Sequence, residues 1–135
     1  MIFQKEITLS PFPRGFHLIT KFIINELPQV SGIAHLFIKH TSASLTINEN
    51  ADPSVRRDFE IHFNKMVPET ATYFEHVHEG TDDMTSHIKN SLLGSSISFP
   101  IKNGIPQLGT WQGIYLCEHR NSARNRKIFI TVIGN

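Results

Sequence analysis

Residues 33–63 read IAHLFIKHTSASLTINENADPSVRRDFEIHF, and this stretch decides the fold class. It opens on an alternation, with Ala34, Leu36 and Ile38 on one side and Ile33, His35, Phe37 and Lys39 on the other. A period of two is the mark of a strand. Residues 44–48 form a second β-like run that aligns Leu45 and Ile47, and His40-Thr41-Ser42-Ala43 is a polar bend joining the two strands. Asp52 followed by Pro53 then starts a helix. The carboxylate can accept a free backbone N–H, and proline has no N–H to leave unpaired. Val55, Phe59, His62, Phe63 and Met66 recur at helical spacing, and Pro68 closes the segment.

The flanks read in the same way. Residues 3–9 alternate as a strand, residues 10–15 turn, and residues 16–19 are extended. Thr20 is placed to cap a short helix carrying Phe22, Ile23 and Leu27, which Pro28 ends. Residues 69–81 are irregular and hold Tyr73, Phe74, His76 and His78. Thr81, Asp82 or Asp83 caps a helix through Leu93, with Met84, Ile88 and Leu92 as its apolar stripe and Gly94 as its stop. Residues 96–101, 111–119 and 127–133 read as strands, with Lys102-Asn103-Gly104 a hairpin turn and residues 121–125 a polar loop. The sum is about seven strands, mostly joined by hairpins, and about three helices: a single α+β domain with a mainly antiparallel sheet.

Composition narrows the function. The chain has 135 residues, too few for a (β/α)8 barrel of about 250. Thirteen basic and twelve acidic side chains give a net charge of +1, so the footprint of a nucleic-acid binder is absent. The one mild basic cluster is Arg120, Arg124, Arg126 and Lys127. A single cysteine, Cys117, excludes an internal disulfide and suits a reducing compartment. The longest apolar run, residues 114–117, is far short of a membrane span, and the N-terminus has no secretory pattern. These features predict a cytoplasmic protein with no membrane or nucleic-acid partner. Eight histidines are a surplus, and imidazole is the commonest metal ligand.

Four stretches concentrate polar chemistry. His40 leaves a strand end ahead of Ser44 and Glu49. In Glu75-His76-Val77-His78 an extended backbone would aim both imidazoles the same way, as a shared metal needs. On a helix, Asp83 and His87 are four apart on one face, where the carboxylate either orients the imidazole or binds the ion itself. Gly109-Thr110-Trp111-Gln112-Gly113 permits close ligand approach, and Glu118-His119-Arg120 ends a strand with a group fit for an anion. No Gly-x-Ser-x-Gly, phosphate-binding Gly-rich loop or Rossmann fingerprint occurs.

Together, "RGFHLIT", "HTSASLTINENADPSVRRDFE", "YFEHVHEGTDDMTSHIKNSLLGSS" and "GTWQGIYLCEHR" resemble the YjbQ-like family, which carries the label secondary thiamine-phosphate synthase. The resemblance covers nearly the whole chain. It implies one YjbQ-like domain over residues 1–135, a homotrimer, and a histidine-lined metal centre with His40, His76 and His87 as ligands. His78 falls outside that set. Three imidazoles with an open position suit zinc, whereas the diphosphate of the implied reaction calls for magnesium with oxygen ligands. The implied reaction joins an aminopyrimidine diphosphate to a thiazole phosphate with release of pyrophosphate. His40, Glu49, Asp83 and Glu118 are then candidates for catalysis, and Ser44, Lys89, Trp111 and Arg120 for holding a small phosphorylated substrate. The competing expectation is a non-catalytic trimer that binds a metal or small ligand.

Overall fold

The computed structural model describes residues 1–135. Eight strands and three helices follow in the order β1 (Ile2–Leu9), β2 (Gly15–Leu18), α1 (Thr20–Ile24), β3 (Gly32–Ile38), β4 (Ala43–Glu49), α2 (Pro53–Met66), α3 (Thr81–Leu93), β5 (Ser96–Lys102), β6 (Ile105–Pro106), β7 (Gln112–Glu118) and β8 (Arg126–Gly134). All pairings are antiparallel, in a five-stranded sheet ordered β1-β8-β3-β5-β6 and a three-stranded sheet ordered β2-β7-β4. The chain is an α+β protein, as its periodicities predict.

The alternation in residues 33–39 faces Ala34, Leu36 and Ile38 into the core, where Ile128, Ile130 and Val132 of β8 meet them. From the other side Leu45, Ile114 and Leu116 of the smaller sheet close the same core. β7 is its central strand and is covered on both faces, which explains the unbroken apolar run at residues 114–117. Its second face, with Tyr115 and Cys117, packs with Phe16 under Phe59 and Phe63 of α2. The layers are therefore α2 and α3, small sheet, core, large sheet, with Ile23 of α1 buried in that same core.

The connectivity departs from expectation. β3 and β4 do not pair with each other, nor do β7 and β8. Both bends carry the chain from one sheet to the other, so few strands are joined as hairpins. Each sheet needs an apolar face against its partner, and crossing between them lets sequential strands close one core. The hairpin at residues 101–106 does form, with Asn103 at φ 51° and Gly104 at φ 79°, as a primed turn requires.

The helices bring three further differences. Asp52 caps α2 as expected, accepting the Ser54 N–H at 2.9 Å. Thr20 does not cap α1; its hydroxyl accepts the Ile114 N–H at 2.9 Å and ties the helix to β7. Gly80, not Thr81 or an aspartate, occupies the cap position of α3. The inward face of α3 is polar: Asp82, Asp83, Thr85, Ser86 and Lys89 are buried, while Leu92 of the expected apolar stripe is 55% exposed. Ion pairs and hydrogen bonds beneath the helix satisfy that face, which makes its burial tolerable.

Gly32 and Gly134 lie opposite each other where β3 meets β8. A Cβ on Gly32 would come within 2.0 Å of the Ile133 carbonyl oxygen, which is backbone and cannot yield. Gly32→Ala is expected to cost about 1–3 kcal/mol through overpacking at this contact, read as a lower urea midpoint.

Candidate metal centre

The two sheet crossings lie at the same end of the molecule, and the site follows from that. The bend after β3 carries His40 to Ser42, and the bend after β7 carries His119 to Asn125. They are stitched together: His119 N–H donates to the Ser42 carbonyl at 3.3 Å, and Arg126 Nη2 donates to the same oxygen at 3.3 Å. The first turn of α3 sits against this junction through Arg120, which pairs with Asp82 at 3.0 Å, with Asp83, and with the Glu79 carbonyl at 3.0 Å.

His76, Asp83 and His87 converge there. One donor atom from each lies within 4.8 Å of the others. Asp83 Oδ2 is 2.6 Å from His76 Nε2 and 3.2 Å from His87 Nε2. Tetrahedral ligand atoms at zinc distances stand about 3.3 Å apart, so the spacing fits a shared ion. One ring is already oriented for an ion, and at His76 an ion would take the place of the Nε2 proton that now bridges to Asp83. His87 Nδ1 donates to the Thr41 carbonyl at 2.9 Å, which turns Nε2 toward the cluster. A backbone carbonyl on the far nitrogen is the usual way a metal-binding imidazole is oriented. Burial raises the Asp83 carboxyl, but the His76 hydrogen bond and the Arg120 charge outweigh it and hold it below the usual range. The donor is thus an anion, as coordination requires. Two nitrogens and one oxygen suit zinc better than magnesium, which prefers an oxygen octahedron.

His40 is not part of this group. Its Nε2 accepts the Lys127 N–H at 2.8 Å, so that lone pair is already used. Burial, with Arg126 nearby, lowers its pKa and keeps the ring neutral. In its place the structure brings Asp83 beside the two imidazoles, which the four-residue helical spacing to His87 anticipates.

The other sequence candidates disperse. Glu118 is wholly buried and forms a two-bond pair with Arg126, at 2.7 and 2.6 Å. Ser44 is buried and hydrogen-bonded to His119 Nε2 at 2.5 Å. Lys89 is buried beneath α3 and donates to Asn64 Oδ1 at 2.6 Å; burial and the nearby Arg14 lower its pKa. Glu49 and Trp111 belong to the opposite end of the small sheet, about 20 Å away along β4. There Glu49 accepts the Ala51 and Asp52 N–H groups, each at 3.0 Å, and Trp111 is exposed. His78 is exposed and outside the cluster.

Beside the three donors opens a polar cleft of about 550 Å³, lined among others by His40, Glu79, Arg120, Arg124 and Arg126. The basic run that supplies these arginines is visible in the sequence. Its arrangement around a cleft is not, because that depends on where the β7–β8 crossing lands.

His119 gives the region a pH dependence. Burial, reinforced by Lys89, Arg14 and Arg126, pushes its pKa down to about 3. The unfolded chain takes up this proton below about 6.5 and the folded chain does not. The stabilisation is therefore complete above pH 6.5 and erodes as pH falls toward 3. Between pH 6.5 and 5 the loss from this group is expected to be about 2 kcal/mol, read from urea midpoints, with a shallower loss in His119→Gln.

Known proteins share this chain's pattern. The family described as UPF0047 protein YjbQ-like matches residues 5–135. UPF0047 protein YjbQ of Salmonella typhimurium is 56% identical over 138 aligned positions, covering 99% of both chains. UPF0047 protein YugU of Bacillus subtilis is 38% identical, over 82% of this chain and 81% of its own. Among solved structures, a YjbQ/UPF0047 protein of Clostridium acetobutylicum superposes with a TM-score of 0.84 at 40% identity, covering 96% of this chain and 99% of that one. The conserved hypothetical protein TT1486 of Thermus thermophilus does so with a TM-score of 0.88 at 27% identity, with the same coverage. With a family match over nearly its full length and relatives of this identity, the chain belongs to the YjbQ-like UPF0047 family.

Proposed function

We propose that the chain is a metal-dependent enzyme acting on a small phosphorylated substrate, with thiamine phosphate synthesis as its reaction. The observation that carries this reading is the convergence of His76, Asp83 and His87 beside a cleft bearing three arginines. A divalent cation, zinc by donor type, would be held by those three side chains and would neutralise phosphoryl charge. Arg120 positions Asp83 and Asp82 at the junction of the cluster and the cleft. In the reaction, the carbon–oxygen bond to the diphosphate breaks and a carbon–nitrogen bond to the thiazole forms. Pyrophosphate leaves with the electron pair of the broken bond. A cation held by the three donors would supply the positive charge that such a departure needs.

The reading includes a cytoplasmic homotrimer. What supports a subunit contact is an apolar row across the outer face of the large sheet, where Ile2, Ile133 and Ile33 lie in register and are 71%, 62% and 58% exposed. Apolar rows of this kind mark contact surfaces. No helix is long and apolar enough to cross a membrane.

The test is pyrophosphate release from an aminopyrimidine diphosphate and a thiazole phosphate. Activity that disappears on chelation and returns with zinc supports the reading. Equal turnover in chelated protein overturns its metal dependence; no turnover with tightly held metal favours a non-catalytic binding module.

A further inference from the structure

Three arginines line the cleft, and two of them are already engaged. Arg120 is held by Asp82 and Asp83, and Arg126 is locked to Glu118 by two hydrogen bonds. Their positive charges are largely cancelled at short range by these carboxylates. Arg124 differs: it is exposed, lines the same cleft, and has no ion pair or side-chain hydrogen bond. His40 contributes no charge, because its Nε2 accepts the Lys127 N–H and so carries no proton. Glu79 adds a carboxylate to the lining. One uncommitted cation therefore remains to meet an anion. Around it Ser122 and Asn125 offer neutral donors.

That inventory selects among anions. A guanidinium binds a single phosphate group through two parallel N–H bonds. A diphosphate carries further charge that needs more free cations than the cleft offers, and it would meet Glu79. We propose that Arg124 is the docking residue for one phosphate monoester group in this cleft, and that without metal the cleft does not prefer a diphosphate. This rests on the preceding reading and names which phosphate the chain's own side chains hold: the monoester of the substrate pair.

The experiment is isothermal titration of chelator-treated full-length protein with inorganic phosphate, glycerol 2-phosphate and pyrophosphate. The variants are R124Q, R124K and, as a charge control on an exposed face of α2, R57Q. Wild-type protein is expected to bind phosphate and the monoester with similar affinity, weakening as salt rises. R124Q should lose tenfold or more, the scale of one charge-assisted contact. R124K should recover part of that loss, and R57Q should stay within about twofold of wild type. Circular dichroism checks that each variant is folded. Undetectable phosphate binding in wild type, unchanged affinity in R124Q, equal loss in R57Q, or pyrophosphate binding tenfold tighter than the monoester would each overturn the proposal. Because no metal is present, these outcomes are independent of the three-donor cluster: phosphate docking can stand while metal binding fails, and the reverse.

Discussion

Asp83→Asn is expected to lower zinc affinity a hundredfold or more, while His40→Gln leaves it within about threefold. Asp83 is the one anion in the donor group, and its side chain is only 3% exposed. An amide of the same shape keeps the packing but removes the charge that a cation needs in a poorly solvated place. His40 already spends its Nε2 lone pair on Lys127 N–H, so its removal should loosen a strand crossing rather than a ligand set. Asp82→Asn is the control for indirect effects. It breaks the other half of the Arg120 pairing but leaves the three donors intact, and should change affinity by no more than about tenfold. Competition titration with a chromophoric chelator reads all three. Equal losses in His40→Gln and Asp83→Asn would restore a triad of imidazoles.

The largest stability effect is expected at Glu118. Its carboxylate is fully buried against Arg126, whose side chain is 7% exposed, and the two share hydrogen bonds of 2.7 and 2.6 Å. A second acceptor role, to the Arg120 N–H at 3.2 Å, links it to the bend after β7. Glu118→Gln preserves size and leaves the guanidinium without its counter-charge, at an expected cost of about 3–5 kcal/mol. For a domain of this length that is a fall in melting temperature of about 10–18 °C. The effect should persist in high salt, since buried pairs are little screened. A loss below about 1 kcal/mol would mean that water reaches the pair.

Much of the fold is legible along the chain because burial imposes a period. Ala34, Leu36 and Ile38 alternate since one face of β3 meets the core, and Asp52-Pro53 marks α2 because a cap is a local device. The crossings were not legible. A polar bend such as His40–Ala43 looks the same whether the next strand pairs with the last or joins another sheet. Nor was the orientation of α3. Met84, Ile88 and Leu92 make an apolar stripe, yet the helix turns Asp82, Asp83 and Lys89 inward because Arg120 and Asn64 wait beneath. The site shows the same division. His87 and Asp83 are related by helical spacing, which sequence carries. That His76 joins them, and that Glu49 ends up at the far end of β4, depends on loop and sheet geometry that no spacing encodes.

Anomalous diffraction at the zinc edge from zinc-loaded crystals tests the central claim most directly. The account predicts one strong peak bonded to His76 Nε2, His87 Nε2 and the Asp83 carboxylate, about 2.0–2.2 Å from each. A peak bonded to His40, or no peak between the two imidazoles, would contradict it.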